Sequence, residues 1–301
     1  MVRKITITLA VFSAMSVFAA TIDKRIVGGE DAKENEFPFI VSIHDNTTKQ
    51  LCGGSLLDDL TVLTAGHCIK RAAYVKAGTL DKNAHGVEAN ISLAKTAPGY
   101  AYIETKRIHD IAILKLSTRI KESNTIRHIP LPADGSDPPA NSNATVAGWG
   151  LQTPYNFTSS KVPPGPDNLR KAVLTVRPRE YCQKFEIKPL NPLIQNTYQN
   201  LVCAGGDGQN ICARDSGGPL VQDGKIIGIV ARTLRDTPDG HFCNKAPSLY
   251  TRVSNYIPFI TENLGGQTIE ELEESLFPAP TTGPSQAISC VVGRDPTHGD
   301  E

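Results

Sequence analysis

The sequence has no excess of charge of either sign, no internal repeat and, beyond its first 20 residues, no long apolar run. Its 301 residues include 31 basic and 31 acidic side chains. A balanced charge gives no basis for binding nucleic acid or an acidic membrane surface, so neither is expected as a partner. Without a later apolar run, no segment after the N-terminus is expected to span a membrane.

Long periodic apolar stretches are also few, whereas turn-forming residues are plentiful. The chain holds 25 Gly and 21 Pro, which separate short runs rich in β-branched residues. Such runs lie at residues 39–43, 61–63, 111–116, 144–147 and 226–230. This spacing favours an all-β sandwich or barrel over a parallel α/β sheet. The best helix candidate is residues 254–264, with Ser254 available as its N-cap and Gly265 as its stop.

The N-terminus has the pattern of a secretory signal. Arg3 and Lys4 form a basic start, and the mostly apolar stretch 5–20 is too short to span a bilayer. Val17 and Ala19 are the small residues expected before a cleavage site. A buried N-terminal helix is the alternative interpretation. A signal peptide implies a secreted, extracellular protein, in which disulfides are expected.

Composition divides the chain into three regions, and the predicted signal cleavage site divides the first of them in two. We predict a signal peptide at residues 1–19, a short propeptide at 20–25, one domain at 26–265 and a flexible C-terminal extension at 266–301. An exported chain can carry N-linked sugar, which makes this protein a candidate glycoprotein. Its four Asn-x-Ser/Thr sequons begin at Asn46, Asn90, Asn143 and Asn156.

Three separated motifs fit one catalytic mechanism. The run Thr-Ala-Gly-His-Cys offers the imidazole of His67, and Asp110 stands at the start of an apolar run. The run Asp-Ser-Gly-Gly-Pro places the hydroxyl of Ser216 on a Gly-rich turn. A serine hydroxyl needs an adjacent base, and a carboxylate fixes the tautomer of that histidine. The sequence therefore predicts nucleophilic catalysis by Ser216, with His67 as general base and acid.

With these motifs, the chain resembles the trypsin/chymotrypsin family of serine endopeptidases over residues 26 to about 264. The activation-like run Arg-Ile-Val-Gly-Gly at 25–29, Cys-Gly-Gly-Ser-Leu at 52–56 and Gly-Trp-Gly at 148–150 also match. The resemblance implies two six-stranded antiparallel β-barrels, a C-terminal helix and an active site between the barrels. It also implies three disulfides, which join Cys52 to Cys68, Cys182 to Cys203 and Cys212 to Cys243. The seventh cysteine, Cys290, has no counterpart in this scheme.

The resemblance further implies that the chain is a zymogen. Cleavage after Arg25 would free the ammonium group of Ile26, which would pair with the buried carboxylate of Asp215. A buried carboxylate is costly unless it is paired, so the oxyanion hole would form only after this step. The expected partners are protein or peptide substrates, an activating protease that cuts after Arg25, and protein inhibitors.

The specificity pocket departs from the trypsin pattern. Asn210 occupies the floor position where trypsin-like members have Asp, so a basic P1 residue is not expected. The positions matched to the pocket and to the substrate-binding strand are Asn210, Ile211, Ala231, Arg232, Thr233 and Ser248. They predict a neutral, partly apolar and narrowed pocket that suits small to medium apolar P1 groups better than Arg. Ala231 lacks a hydroxyl that helps hold the catalytic carboxylate, and Arg232 is expected to be a flexible, charged wall.

Arg214 stands where the family nearly always has glycine. The backbone N–H groups of Arg214 and Ser216 would form the oxyanion hole, so the side chain removes no donor. A positive φ at this position would cost Arg roughly 1 kcal/mol or somewhat more relative to glycine. We therefore expect slower turnover with a crowded leaving-group side. The alternative is that the fold accommodates Arg214 without harm and that its side chain points into solvent.

Neither a metal nor a cofactor is expected. Around residues 78–80 the acidic ligand of a calcium-binding loop is missing, and hard cations need several oxygen ligands. Two other functions stay open. The chain could be a catalytically weak homologue that acts as a binding or inhibitory protein, as Arg214, Ala231 and Arg232 favour. Alternatively, its extension could drive oligomerisation through Cys290.

Overall fold

The computed structural model describes residues 29–152, 165–186, 190–206, 208–235, 243 and 245–268. Its first half contains nine strands: β1 (Glu30–Asp31), β2 (Ile40–His44), β3 (Gln50–Asp58), β4 (Thr61–Thr64), β5 (Tyr74–Ala77), β6 (Val87–Thr96), β7 (Ala101–Ile103), β8 (Lys106–Ile108) and β9 (Ala112–Leu116). Six of them close into an antiparallel barrel in the order β2-β3-β4-β9-β6-β5. Strands β7 and β8 form a separate hairpin.

The second half contains six further strands: β10 (Asn143–Gly148), β11 (Arg170–Arg177), β12 (Leu201–Ala204), β13 (Pro219–Gln222), β14 (Lys225–Thr233) and β15 (Ser248–Arg252). They pair in the order β11-β10-β13-β14-β15-β12, and pairing of β11 with β12 closes the second barrel. Three short helices accompany them: α1 (Arg179–Gln183), α2 (Pro192–Thr197) and α3 (Ile257–Thr261). The prediction of two six-stranded antiparallel barrels with a C-terminal helix is confirmed.

The two ends of the domain each pack on the opposite barrel. Strand β1 pairs with β11 of the second barrel. At the other end, Val253, Phe259 and Ile260 pack among the core side chains of the first barrel. Burial of these apolar groups holds the two barrels together.

The predicted helix at the C-terminus is present but shorter than expected: it begins at Ile257 and ends at Thr261, before the predicted stop at Gly265. A 3₁₀ turn covers Val253–Tyr256, and α3 starts at Ile257 with Pro258 in its first turn. Proline is tolerated there because the first helical N–H groups have no helical partner. The assignment of Ser254 as N-cap was wrong: its buried hydroxyl donates instead to the carbonyl of Ser136. Within the described ranges, no helix is long and apolar enough to cross a membrane.

Candidate active site

A cavity of about 1170 Å³ is lined by residues of both barrels. His67 borders it on a 3₁₀ turn (Gly66–Arg71) that follows β4, and Ser216 borders it on the turn before β13. The Cys52–Cys68 disulfide ties the His67 turn to β3. The cavity therefore brings together two of the three predicted catalytic side chains.

Asp110 holds His67 by two hydrogen bonds. Nδ1 of His67 lies 2.7 Å from Oδ2 of Asp110, and the backbone N–H of His67 donates to Oδ1 at 2.9 Å. Asp110 is only 2% exposed and stands just before β9. An ionised carboxylate can only accept, so the Nδ1 atom carries the proton of the ring. The lone pair of Nε2 is then left to take a proton from a substrate or nucleophile.

Hydrogen bonds between the barrels position this site. The hydroxyl of Thr251, on β15, donates to the backbone carbonyl of Asp110 at 2.8 Å. The backbone N–H of Gly53, on β3, donates to the carbonyl of Ser216 at 2.8 Å. The carboxylate itself is held through His67, while Ala231 offers no hydroxyl to it.

The turn that carries Ser216 requires glycine at the next position. Gly217 has φ of +77°, and an added Cβ would lie 2.2 Å from Oγ1 of Thr64. The N–H of Gly217 donates to the carbonyl of Val230 at 2.9 Å, which fixes the turn on β14. No hydrogen bond joins Oγ of Ser216 to Nε2 of His67, although both residues are within the described chain. Such bonds often tighten only when substrate is bound.

Arg214 adopts the left-handed conformation, with φ of +78°. This conformation costs a non-glycine residue roughly 1–2 kcal/mol. Among the described residues, the backbone N–H groups of Arg214 and Ser216 donate to no protein group. Both donors are therefore left for a ligand.

Asp215 is fully buried beside the nucleophile. Its Oδ1 accepts the N–H of Gly150 at 2.7 Å, and its Oδ2 accepts the N–H of Cys212 at 2.8 Å. Gly150 is required here, since an added Cβ would lie 2.2 Å from the carboxylate. Burial raises the pKa of Asp215 to about 7, although the two N–H groups lower it in part. A buried carboxylate in this setting needs a cation to stay ionised.

The residues matched to the specificity pocket fall into two layers. Four of them line the cavity: Ile211, Ala231, Arg232 and Thr233. Asn210 and Ser248 are 0% exposed and lie behind this wall. The Oδ1 atom of Asn210 accepts the hydroxyl of Ser248 and the N–H of Ile211, while its amide group donates to the carbonyl of Ala246. The buried amide is thus held by the protein itself.

Arg232 is held in place by a buried carboxylate. Its guanidinium pairs with Glu186, which also accepts hydrogen bonds from the Nζ atom of Lys106 and the hydroxyl of Tyr198. Glu186 is 5% exposed. The expectation that Arg232 is flexible was wrong, because its guanidinium is paired with Glu186. The sequence gives no sign of this contact, since the two residues are 46 positions apart.

The pKa of Glu186 is lowered to about 2. Burial raises it, but Arg232, Lys106 and Tyr198 together outweigh that effect. Because the folded-state pKa lies below the unfolded value, ionised Glu186 stabilises the fold above about pH 4.5. This contribution is lost as the pH falls toward 2.

Replacing Glu186 by Gln is expected to lower the free energy of unfolding by about 2–4 kcal/mol at pH 7. Loss of the carboxylate leaves two cations facing each other, while the 16% and 21% exposure of Lys106 and Arg232 limits the cost. Urea denaturation would measure the loss, which should shrink between pH 5 and pH 2. The matched control is Asp137→Asn, which removes a 44%-exposed carboxylate paired with Arg179 and Arg252 and should cost less, about 1 kcal/mol. Equal losses in both variants would contradict the expectation.

Sequence reasoning missed three residues of this region. Glu186, Lys106 and Thr251 act through contacts between segments far apart in the chain. No local motif marks them. Arg25, Ile26 and Cys290 lie outside the described residues, as does Asn156. The Asn residues of the other three sequons, Asn46, Asn90 and Asn143, are exposed.

The six cysteines matched to the family are joined as Cys52–Cys68, Cys182–Cys203 and Cys212–Cys243. Cys52 and Cys68 lie near His67 in an arrangement that resembles a metal site. Both sulfurs are in a disulfide and cannot offer the thiolates that a metal would need. This group is therefore part of the loop that carries His67.

Comparison with known proteins agrees with this geometry. The family model described as Trypsin matches residues 26–260. Chymotrypsin-C of Rattus norvegicus is 31% identical over 284 residues, which cover 86% of this chain and 98% of that protein. Granzyme F of Mus musculus is 30% identical over 252 residues, which cover 80% and 92%. Trypsin delta of Drosophila erecta is 29% identical over 246 residues, which cover 80% and 89%.

A solved structure shares the fold. Neuropsin, a serine protease expressed in the limbic system of mouse brain, matches with a TM-score of 0.66 and 24% identity. The match covers 79% of this chain and 99% of that one.

Proposed function

Because the chain belongs to the trypsin family and is a serine endopeptidase, we propose that it is secreted as a zymogen and cleaves proteins after small to medium uncharged residues. The proposed segments are a signal peptide at 1–19, an activation propeptide at 20–25, the protease domain at 26–265 and an extension at 266–301. The partners would be protein substrates, an activating protease and protein inhibitors.

The observation that carries the catalytic assignment is the 2.7 Å contact between His67 and Asp110 beside the Ser216 turn. In the first step Nε2 of His67 takes the proton of Ser216 as Oγ attacks the scissile carbonyl. Asp110 stabilises the imidazolium that forms. His67 then gives its proton to the leaving amine, and an acyl group stays on Ser216. Water attacks this ester with His67 again as base, which frees Ser216.

The developing negative charge on the carbonyl oxygen needs donors that are already in place. The backbone N–H groups of Arg214 and Ser216 are the proposed pair, since neither donates to another described group. Losing one such donor slows turnover by about 10²–10³-fold in a well-studied serine protease. The backbone conformation of Arg214 therefore matters for acylation, because it directs one of these two donors.

Labelling with an active-site phosphonate tests the enzyme assignment. The reagent should attach to Ser216 of the chain cut after Arg25, as mass spectrometry of the labelled peptide would show. Ser216→Ala should take up no label. Failure of the processed wild type to react would overturn the proposal.

The uncharged P1 preference is supported by the layered pocket. Asn210 is neutral, fully buried and hydrogen bonded to Ser248, so no carboxylate is offered to a basic side chain. Ile211 and Thr233 form the wall in front of it. A P1 positional peptide library should therefore be dominated by small and medium uncharged residues. Dominance of Arg or Lys would contradict this preference.

Arg214→Gly is expected to raise the free energy of unfolding by about 1 kcal/mol and to increase kcat by no more than about fivefold. Only the conformational strain at φ +78° is relieved, since the N–H group is present in both proteins. Urea denaturation and peptide-ester hydrolysis would measure the two effects. A matched control is Asp223→Gly, which relieves a positive φ of +50° in the β13–β14 turn and should leave kcat unchanged.

If Arg214→Gly instead hydrolysed the ester about 10²-fold faster or more, the native oxyanion hole would be incomplete. The presence of Arg, rather than glycine, at a position of φ +78° is the observation that favours this second candidate, a weak homologue that acts by binding.

A further inference from the structure

Among the described residues, the cavity at the active site is lined by more cations than anions, although the whole chain is neutral. Seven Lys or Arg residues and two Glu residues line it, against 31 of each sign in the full sequence. Of the seven cations, Arg71 is paired with Asp45, and Lys106 and Arg232 share Glu186. Low-dielectric walls lined by charge of one sign attract ligands of the opposite sign. The cleft is thus complementary to an acidic ligand.

Within the described part of the chain, strand β14 offers an unpaired edge to this cavity. Its pairing with β13 ends at Ile229 and Val230, whereas Arg232 and Thr233 still pair with β15 on the other side. A peptide that runs N-terminally from Ser216 can therefore add as an antiparallel strand along residues 231–233. The ladder with β15 has a bulge at Ala231, so the regular register begins at Arg232. The second substrate residue before the scissile bond, P2, would lie opposite Arg232, and P1 would lie beside Ala231.

This register places particular substrate side chains beside the cations. Directly opposed residues of antiparallel strands share a face, and so do residues two apart along one strand. The side chains of P2 and P4 would therefore lie on the face of Arg232, whereas P1 and P3 would lie on the other face. Arg232 stands on this face, and Lys106 shares with it the carboxylate of Glu186.

One carboxylate cannot neutralise two cations, so this cluster keeps a net positive charge. Lys106 and Arg232 are 16% and 21% exposed, and both line the cavity. Glu186 fixes their positions, so that little side-chain entropy is lost when a ligand binds. A substrate carboxylate is the group that would complete the cluster.

We infer that Arg232 and Lys106 form an acid-selective subsite for P2 or P4 of the substrate. This inference rests on the proposed function, since it takes the ligand to be a peptide held for cleavage at Ser216. The preferred substrates are then proteins with an Asp or Glu two or four residues before an uncharged P1 residue.

Matched peptide substrates that differ only by Asp or Asn at one position test the subsite. Processed wild type should show a kcat/KM about five- to tenfold higher for Asp at P2 or P4, and no preference at P3. The preference should fall as NaCl is raised, because salt screens partly exposed charges. Arg232→Gln should bring the ratio close to one, and Lys106→Gln should lower it. Lys225→Gln, at the exposed far end of β14, is the control that should leave the ratio unchanged.

A binding measurement separates failure of the subsite from failure of catalysis. Processed Ser216→Ala protein should bind the Asp peptide more tightly than the Asn peptide in fluorescence anisotropy, even if wild type does not react with phosphonate. Lack of phosphonate labelling would then overturn only the proposed function. Equal binding of both peptides at low salt would overturn the subsite. Equal binding together with displacement by a heparin oligosaccharide would assign the cationic cleft to a sulfated polysaccharide instead.

Discussion

Replacing Asp110 by Asn is expected to slow turnover by the processed chain about 10⁴-fold. The carboxylate accepts two hydrogen bonds from His67, one from Nδ1 at 2.7 Å and one from the backbone N–H at 2.9 Å. An amide of the same shape fits the site, but its NH₂ group would face one of these donors. His67 would then favour the tautomer with its proton on Nε2, which cannot take the proton of Ser216.

Ester hydrolysis with near-unchanged KM would identify this loss as a loss of chemistry rather than of binding. Asp137→Asn is again the control, because it removes a carboxylate on the surface and should leave kcat within about twofold. A fall of less than about tenfold in Asp110→Asn would show that the pair is not the catalytic base system.

An Arg25→Gln chain that cannot be processed is expected to have kcat/KM at least about 10³-fold below that of the processed chain. The reason lies in Asp215, whose carboxylate is 0% exposed and bonded only to uncharged backbone groups within the described residues. Processing would supply the ammonium of Ile26 as its cation, and the turn with Arg214 and Ser216 would then hold its catalytic shape. Hydrolysis of one peptide ester by both proteins measures the ratio. The control is Lys24→Gln, which keeps Arg25 and should be activated by a trypsin-like protease.

The same carboxylate gives the precursor a distinct pH dependence. Since burial raises the pKa of Asp215 to about 7, the folded precursor binds a proton that the unfolded chain releases near pH 4. The stabilisation of the fold by this protonated carboxyl group is therefore fully present below about pH 4, and it is lost as the pH rises through 7. A paired Asp215 in the processed chain should remove that decrease. Urea midpoints that change equally with pH in both proteins would contradict the proposed ion pair.

Much of the fold could be predicted because its causes are local. Runs such as 144–147 and 226–230 alternate with turn residues, and they lie within β10 and β14 of the structure. Closure of six strands into a barrel is a tertiary property, and it was inferred from the family resemblance. The start of α3 was misplaced because Ser254 hydrogen bonds to a distant carbonyl, which a capping rule cannot anticipate.

The residues of the candidate site also fall into those that local sequence could identify and those that it could not. His67, Asp110 and Ser216 stand in motifs whose spacing along the chain is specific, so they could be named from the sequence. The sequence could predict only that Arg214 would be strained if its φ were positive, and the structure gives this φ as +78°. By contrast, the contact of Arg232 with Glu186 depends on how a loop after α1 packs against β14. Such a contact leaves no trace in either segment alone.

The packing of the C-terminal end of the domain on the first barrel has a consequence for biosynthesis. Val253, Phe259 and Ile260 belong to the core of the first barrel, yet they follow the last strand of the second. A ribosome releases them after almost every other residue of the domain. The first barrel therefore keeps apolar surface uncovered throughout synthesis, and its folding can finish only once the second barrel has been made. The exit of residues 253–260 from the ribosome thus sets the moment at which both halves can reach their native state.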